Sequence, residues 1–242
     1  MPLPYPGAPD TAGPPPCIEV VLFDYGMVLS APPDPTAWAR MRAICGLDED
    51  RLHAAYWAFR HGYDRGALTA MEYWKAVARY AGVAINSAQI DALLAADLDL
   101  WTQPNPPMIA WAGQLQRAGA RTAILSNIGD AMAEGLVAQL PWLAGFERCI
   151  WSYALLLAKP DPTIFVKTAE MLHTAPAGIL FIDDKEENVA AAAALEMQTI
   201  QYTDHAEFVR EMRDRSFNSL LEAGLGARGS GALTPEGEPA SA

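Results

Sequence analysis

The 242-residue sequence predicts an α/β protein, a doubly wound parallel sheet interrupted by an all-helical insertion. Three observations carry that expectation. Five short apolar runs have strand length, helical patterns separate the later ones, and the interval 31–103 holds helical patterns without a convincing strand.

The first run, Ile18–Phe23, ends at a lone carboxylate, Asp24. In the interval that follows, Thr69 and Glu72 have the spacing of a capping box, which opens a helix through Trp74, Val77 and Ala78. Ser87–Leu100 reads as another helix. Proline-rich segments bound the interval, APPDP at 31–35 and PNPP at 104–107, and read as hinges or rigid connectors. Beyond them, Met108, Trp111, Ala112 and Leu115 recur at helical spacing between Pro107 and Arg117. Thr122–Leu125 is a second strand and Arg148–Trp151 a weaker third. A helix through Ile164, Phe165, Thr168 and Leu172 opens with Asp161 as N-cap and Pro162 in its first turn. Gly178–Ile182 and Gln198–Gln201 complete the strands. Strands alternating with helices imply right-handed crossovers and a Rossmann-like parallel sheet covered on both faces. The expected division is a core of 17–30 and 104–221, a helical unit of 31–103, and disordered tails at 1–16 and 222–242.

Composition narrows the function classes. Twenty-nine acidic residues against seventeen Lys and Arg give a net charge of -12, which repels nucleic-acid backbones and anionic membrane surfaces. Three scattered cysteines, Cys17, Cys45 and Cys149, have neither a disulfide framework nor zinc-ligand spacing. The first sixteen residues contain no Lys or Arg and no continuous apolar stretch, unlike a secretory signal or anchor, and no segment approaches the roughly 18 apolar residues of a membrane span. A cytoplasmic setting is expected.

In open α/β sheets, ligands bind beyond the carboxyl ends of the strands. Asp24 lies at the end of the first strand, Ser126 and Asn127 at the second, and Asp183 and Asp184 at the fourth, while Lys159 precedes Pro160. Singly, these could be a loop cap, a turn, a helix cap and a surface charge. Together they supply what metal-assisted phosphoryl transfer needs: oxygen ligands for a hard cation, a nucleophile, donors for phosphoryl oxygens, and a cation against accumulated negative charge.

Four segments in order, FDYGMVLS, ILSN, AKPDPTIF and FIDDKEENVAAAAALEM, together with the helical insertion after the first, resemble the haloacid dehalogenase superfamily of hydrolases. The resemblance spans about residues 18–205 and points to the phosphatase-like branch with a helical cap. It implies a Mg2+-dependent phosphatase of a small phosphorylated metabolite, with Asp24 as the nucleophile that forms an aspartyl-phosphate. The implied metal ligands are Asp24, the carbonyl of Gly26 and Asp184, with Asp183 beside them. Ser126 and the amide of Asn127 would grip the phosphoryl group, and Lys159 would screen the carboxylates. Asn188 falls where relatives often place an acid behind the metal.

The resemblance breaks at Gly26. The commonest phosphatase pattern has an aspartate there as acid and base, worth about 100- to 10,000-fold in rate. Either the leaving group departs unaided, or another group stands in, such as His61 or Tyr63 of FRHGYDRGALT, or the protein binds phosphorylated ligands or partners with little turnover. A 2-haloacid dehalogenase is a further alternative, although that branch typically has a less acidic fourth motif. Met27 suggests a tighter or more apolar loop, and Glu196 stands where a helix-ending glycine is expected. Trp57, His61, Tyr63 and Trp74 could either pack or touch ligand.

Overall fold

The computed structural model describes residues 17–223, so the expected tails lie outside the described residues apart from Glu222 and Ala223. Strand β1 (Val20–Phe23) is four apolar residues, all buried. A strand apolar on both faces is stable only at the centre of a sheet covered on both sides, and β1 sits there. The five-stranded sheet has the order β3-β2-β1-β4-β5, with β2 Arg121–Ser126, β3 Arg148–Trp151, β4 Ile179–Asp183 and β5 Gln198–Gln201. Every pairing is parallel. All five expected strands are present, with the first beginning two residues later than read and the fourth reaching Asp183.

The winding sets the place of the site. The chain steps outward from β1 through β2 to β3, then crosses to β4 and β5 on the other side of β1. Phe23 is level with Ile124 and with Ile182, so the carboxyl ends of the three central strands emerge together at the point where the strand order reverses.

Among the described residues, the insertion after β1 holds four helices: α1 (Pro35–Cys45), α2 (Glu49–Asp64), α3 (Ala70–Tyr80) and α4 (Ser87–Trp101). The Thr69–Glu72 capping box is formed, and Asn86 with Gln89 forms a second at the start of α4. The proline-rich connectors pair with each other, Ala31 N–H donating to the Gln103 carbonyl at 2.8 Å and Asn105 N–H to the Leu29 carbonyl at 2.9 Å. The insertion therefore enters and leaves through one stitched neck.

Seven further helices follow: α5 (Pro106–Arg117), α6 (Asp130–Gln139), α7 (Ser152–Leu155), α8 (Pro162–Met171), α9 (Glu186–Ala193), α10 (His205–Asp214) and α11 (Asn218–Leu221). Asp161 caps α8 by accepting from Thr163 N–H at 2.9 Å. One sheet face buries Val20, Leu22, Leu125 and Phe181 against Ile164 and Phe165 of α8. The other buries Val21, Phe23, Ile124 and Ile182 in a core continuous with Tyr56 and Trp74 of the insertion. No helix among the described residues is long and apolar enough to cross a membrane. Glu196, where a helix-ending glycine is expected, takes a left-handed conformation at φ +67°, and Met27 does so as well at φ +60°, a cost that glycine would avoid.

The C-terminal end of α2 docks on the core at three points. The Tyr63 ring lies so close over Gly129 that a Cβ there would collide with it. The carbonyl of Asp64 accepts from the Ser152 hydroxyl. Gly66, at φ +74°, passes so close to the Tyr153 carbonyl that a side chain has no room. Gly66→Ala therefore meets both backbone strain and a clash, and should lower the unfolding free energy by about 1–3 kcal/mol. Urea denaturation measures this, and an unchanged midpoint would contradict the close approach.

Candidate active site

Asp24 leaves the sheet with its N–H still bonded to the Ile182 carbonyl at 2.8 Å. Its Oδ1 accepts from Tyr25 N–H at 2.7 Å and lies 2.9 Å from Lys159 Nζ. The same ammonium donates to Asp183 Oδ2 at 2.6 Å and to the Leu125 carbonyl at 2.9 Å, so its three N–H bonds have three acceptors. Lys159 is itself held by one side chain. Asn127 Oδ1 accepts from Lys159 N–H and Asn127 Nδ2 donates to the Lys159 carbonyl, both at 2.8 Å.

Asp183 is fully buried and both its oxygens are committed, Oδ2 to Lys159 and Oδ1 to Lys185 N–H and Asn188 Nδ2, each at 2.9 Å. Asp184 is only partly buried. Asp24, Asp183 and Asp184 each offer a carboxylate oxygen within 4.8 Å of the others. Ser126, Asn127, Gly26, Asp184 and Lys159 line one cleft with Asp24, of about 460 Å³. The structure thus gathers every expected site residue, with Asp183 beneath the cleft wall, organising Lys159 and Asn188. The Asn127 side chain adds a clamp on Lys159 that the sequence reading, which used only its amide, did not contain.

Electrostatics make this a strained carboxylate cluster. Burial raises the Asp24 pKa to about 7, against the attraction of Lys159 and with the repulsion of Asp183 and Asp184. Burial raises Asp184 too, followed by repulsion from Asp183. For Lys159, burial acts to lower the pKa, but attraction to Asp183 and Asp24 carries it above the ordinary value. Two of the three clustered carboxylates, Asp24 and Asp183, share one buried ammonium, and Asn188 Oδ1 is buried with no hydrogen-bond partner among the described residues. Crowded hard oxygens, excess negative charge and an orphaned acceptor fit a hard divalent cation.

The insertion supplies the opposite wall through Trp57, Arg60, His61, Asp64 and Trp101. Arg60 is buried, its Nε donating to Asp64 Oδ1 at 2.8 Å and its Nη1 3.4 Å from Asp97 Oδ1. The Tyr56 hydroxyl touches Arg60 and donates to Asp97 Oδ1 at 2.7 Å. Sequence reading passed over Arg60, Asp64 and Trp101, although Arg60 and Asp64 stand four apart in a helical segment, where side chains meet. Trp57 and His61 face the cleft, whereas Trp74 is fully buried and Tyr63 stacks on Tyr73 at 4.7 Å. Gly26 has space around it, since a Cβ there would lie 4.0 Å from Trp101.

The profile of haloacid dehalogenase-like hydrolases matches residues 27–196. The rat (Rattus norvegicus) bifunctional epoxide hydrolase 2 is 29% identical over 125 residues, 50% of this chain and 23% of that protein. The matches span less than half the length of the curated relatives. Among solved structures, a HAD family enzyme, BT-2542 from Bacteroides thetaiotaomicron, superposes with TM-score 0.68 at 21% identity, covering 80% of this chain and 99% of that one. Its complex with magnesium and inorganic phosphate gives 0.64 at 21%, over 79% and 98%. The L-2-haloacid dehalogenase of Xanthobacter autotrophicus with chloropropionic acid covalently bound gives 0.60 at 19%, over 88% and 99%. These structures share the fold.

The Asp24 shift fixes a pH dependence. Its folded pKa of about 7 exceeds the ordinary 3.8, so the folded state holds the proton more tightly and metal-free stability falls as pH rises between those values. Asp64, raised to about 6, acts in the same direction. Melting temperatures in chelator should decline from pH 4 to 7 for the wild type and less steeply for Asp24→Asn; equal slopes would contradict the assignment.

Proposed function

The chain belongs to the haloacid dehalogenase-like hydrolase family, and within it we propose that it is a Mg2+-dependent phosphatase of a small phosphate monoester. The observation that carries this reading is the convergence of carboxylate oxygens of Asp24, Asp183 and Asp184 within 4.8 Å of one another, with the Lys159 ammonium bridging the first two. Displacement at carbon by a carboxylate needs no cation and gives no reason to crowd three acids together. The binding of magnesium and inorganic phosphate by BT-2542 lends support.

Among the described residues, both contacts to the Asp24 carboxylate fall on Oδ1, which fixes its orientation, and none of them donates to Oδ2. Asp24 attacks phosphorus in line with the leaving oxygen. Ser126 and the Asn127 amide donate to the phosphoryl oxygens, and Lys159 balances Asp24 and Asp183 and adds positive potential beside the transferring group. Mg2+, held by Asp24, Asp184 and the Gly26 carbonyl, would neutralise charge developing on the phosphoryl oxygens. Water then hydrolyses the aspartyl-phosphate. The insertion wall of Trp57, His61 and Trp101 covers the cleft and meets the organic part of the ester. The surroundings favour a soluble metabolite over a polyanion, given the net charge of -12.

One observation favours a second reading, a 2-haloacid dehalogenase: Gly26 carries no acid, which carbon–halogen displacement does not need. A panel of phosphate esters and 2-haloacids, assayed with Mg2+ and with chelator, separates the two. Phosphate release should require the metal and fall to background in Asp24→Asn. Halide release indifferent to chelator would establish the dehalogenase instead, and thermal stabilisation by inorganic phosphate without any turnover would mark a binding protein.

A further inference from the structure

We propose that Asp64 is the acid and base that Gly26 cannot be, an inference resting on the phosphatase reading. Asp64 ends α2 and lines the cleft that also holds Asp24 and Ser126. It belongs to the insertion, yet hydrogen bonds tie it to the phosphate-binding side of the core. The Asp64 carbonyl accepts from the Ser152 hydroxyl, whose oxygen accepts from Ile128 N–H at 2.8 Å, two residues beyond Ser126. The neighbours Tyr63 and Gly66 are pressed onto Gly129 and Tyr153, so the position of Asp64 is fixed from both sides.

Its side chain is held as well. Arg60 Nε donates to Oδ1 at 2.8 Å, and no donor among the described residues reaches Oδ2, which leaves one oxygen for a ligand. The titratable and charged groups around it are Arg60 and His61 on its own helix, Asp97 on α4, Lys185 and Glu187 at the start of α9, and Asp24, Lys159 and Asp184 lining the same cleft. Burial lifts its pKa to about 6, ahead of the opposing pull of Arg60, so both protonation states are accessible near neutrality, as an acid that becomes a base requires.

The other groups on this wall are excluded by geometry or chemistry. Arg60 does not release a proton in a protein. The Tyr63 hydroxyl is buried and is not part of the cleft lining. His61 faces the cleft but is exposed, and no hydrogen bond orients its ring.

In the first step the Asp24–phosphorus bond forms and the ester P–O bond breaks, and the Asp64 proton passes to the departing oxygen, which leaves as the alcohol. In the second step water attacks phosphorus, the Asp24–phosphorus bond breaks, and the proton lost by water restores Asp64. The two steps consume one water and release alcohol and phosphate.

The test compares an alkyl phosphate with 4-nitrophenyl phosphate, whose leaving group departs as an anion, using full-length protein with Mg2+. In Asp64→Asn, which keeps an acceptor for Arg60, alkyl phosphate turnover should fall about 100- to 10,000-fold. Single-turnover nitrophenolate release should stay within a few-fold, with phosphorylated protein accumulating because water has lost its base. In the wild type, single-turnover alkyl ester cleavage should decline relative to nitrophenyl ester cleavage as pH rises above about 6, a measurement that does not depend on the variant folding. An alkyl-to-aryl ratio unmoved by both the substitution and pH overturns the Asp64 assignment alone. A wild type that hydrolyses neither ester overturns the phosphatase reading and this inference with it.

Discussion

The ammonium of Lys159, buried among Asp24, Asp183 and the Leu125 carbonyl, is the interaction on which the site depends. Its three acceptors come from the ends of β1, β4 and β2, so one charge ties together the carboxyl edge of the three central strands. An unpaired ammonium in that position would be driven neutral, because burial disfavours its charged form. The two carboxylates reverse that tendency, and Asn127 fixes the backbone from which the lysine extends. Removing the lysine would leave two buried acids repelling each other, which is why the pair and the clamp act as a unit.

Parallel topology makes this convergence possible. Five β-strands spread along the sequence all point the same way, and the level register of Phe23, Ile124 and Ile182 brings Asp24 and Asp183 to a common height, with Ser126 one residue beyond it. The ammonium neutralises only part of what gathers there. With Asp184 added, the cluster retains excess negative charge, and burial first, then repulsion from Asp183 and Asp184, raises the pKa of Asp24 against the pull of Lys159. In the proposed phosphatase, cation binding and nucleophilicity would be linked through that imbalance, since a cation neutralising the cluster would favour the ionised form of Asp24.

Much of the fold was legible because the determinants are local. Apolar runs such as VVLF announce buried strands, and Asp161, Thr69 and Glu72 satisfy helix ends with atoms a few residues away. The strand-end residues were legible as a pattern of types and positions. The rest depends on pairings that no window of sequence contains. Asn127 grips Lys159 across 32 positions, Tyr56 reaches Asp97 across 41, and Ser152 meets Asp64 across 88. Tyr63 illustrates the limit: beside His61 it reads as a polar cleft residue, but its ring is used to dock α2 on Gly129 and to stack on Tyr73.

The space around Gly26 bears on how the work is divided. A side chain would fit there, 4.0 Å from Trp101, so packing does not impose glycine. An acid on that loop would move rigidly with the nucleophile and be present whether or not the insertion were seated. Asp64 instead stands across the seam, and its placement depends on the contacts of Tyr63, Gly66 and Ser152. In the proposed phosphatase, proton transfer would then be available only with the two parts of the molecule docked and the cleft walled on both sides. Separating nucleophile from acid in this way would couple cleavage of poor leaving groups to a closed site, while anionic leaving groups, which need no proton, would escape that requirement.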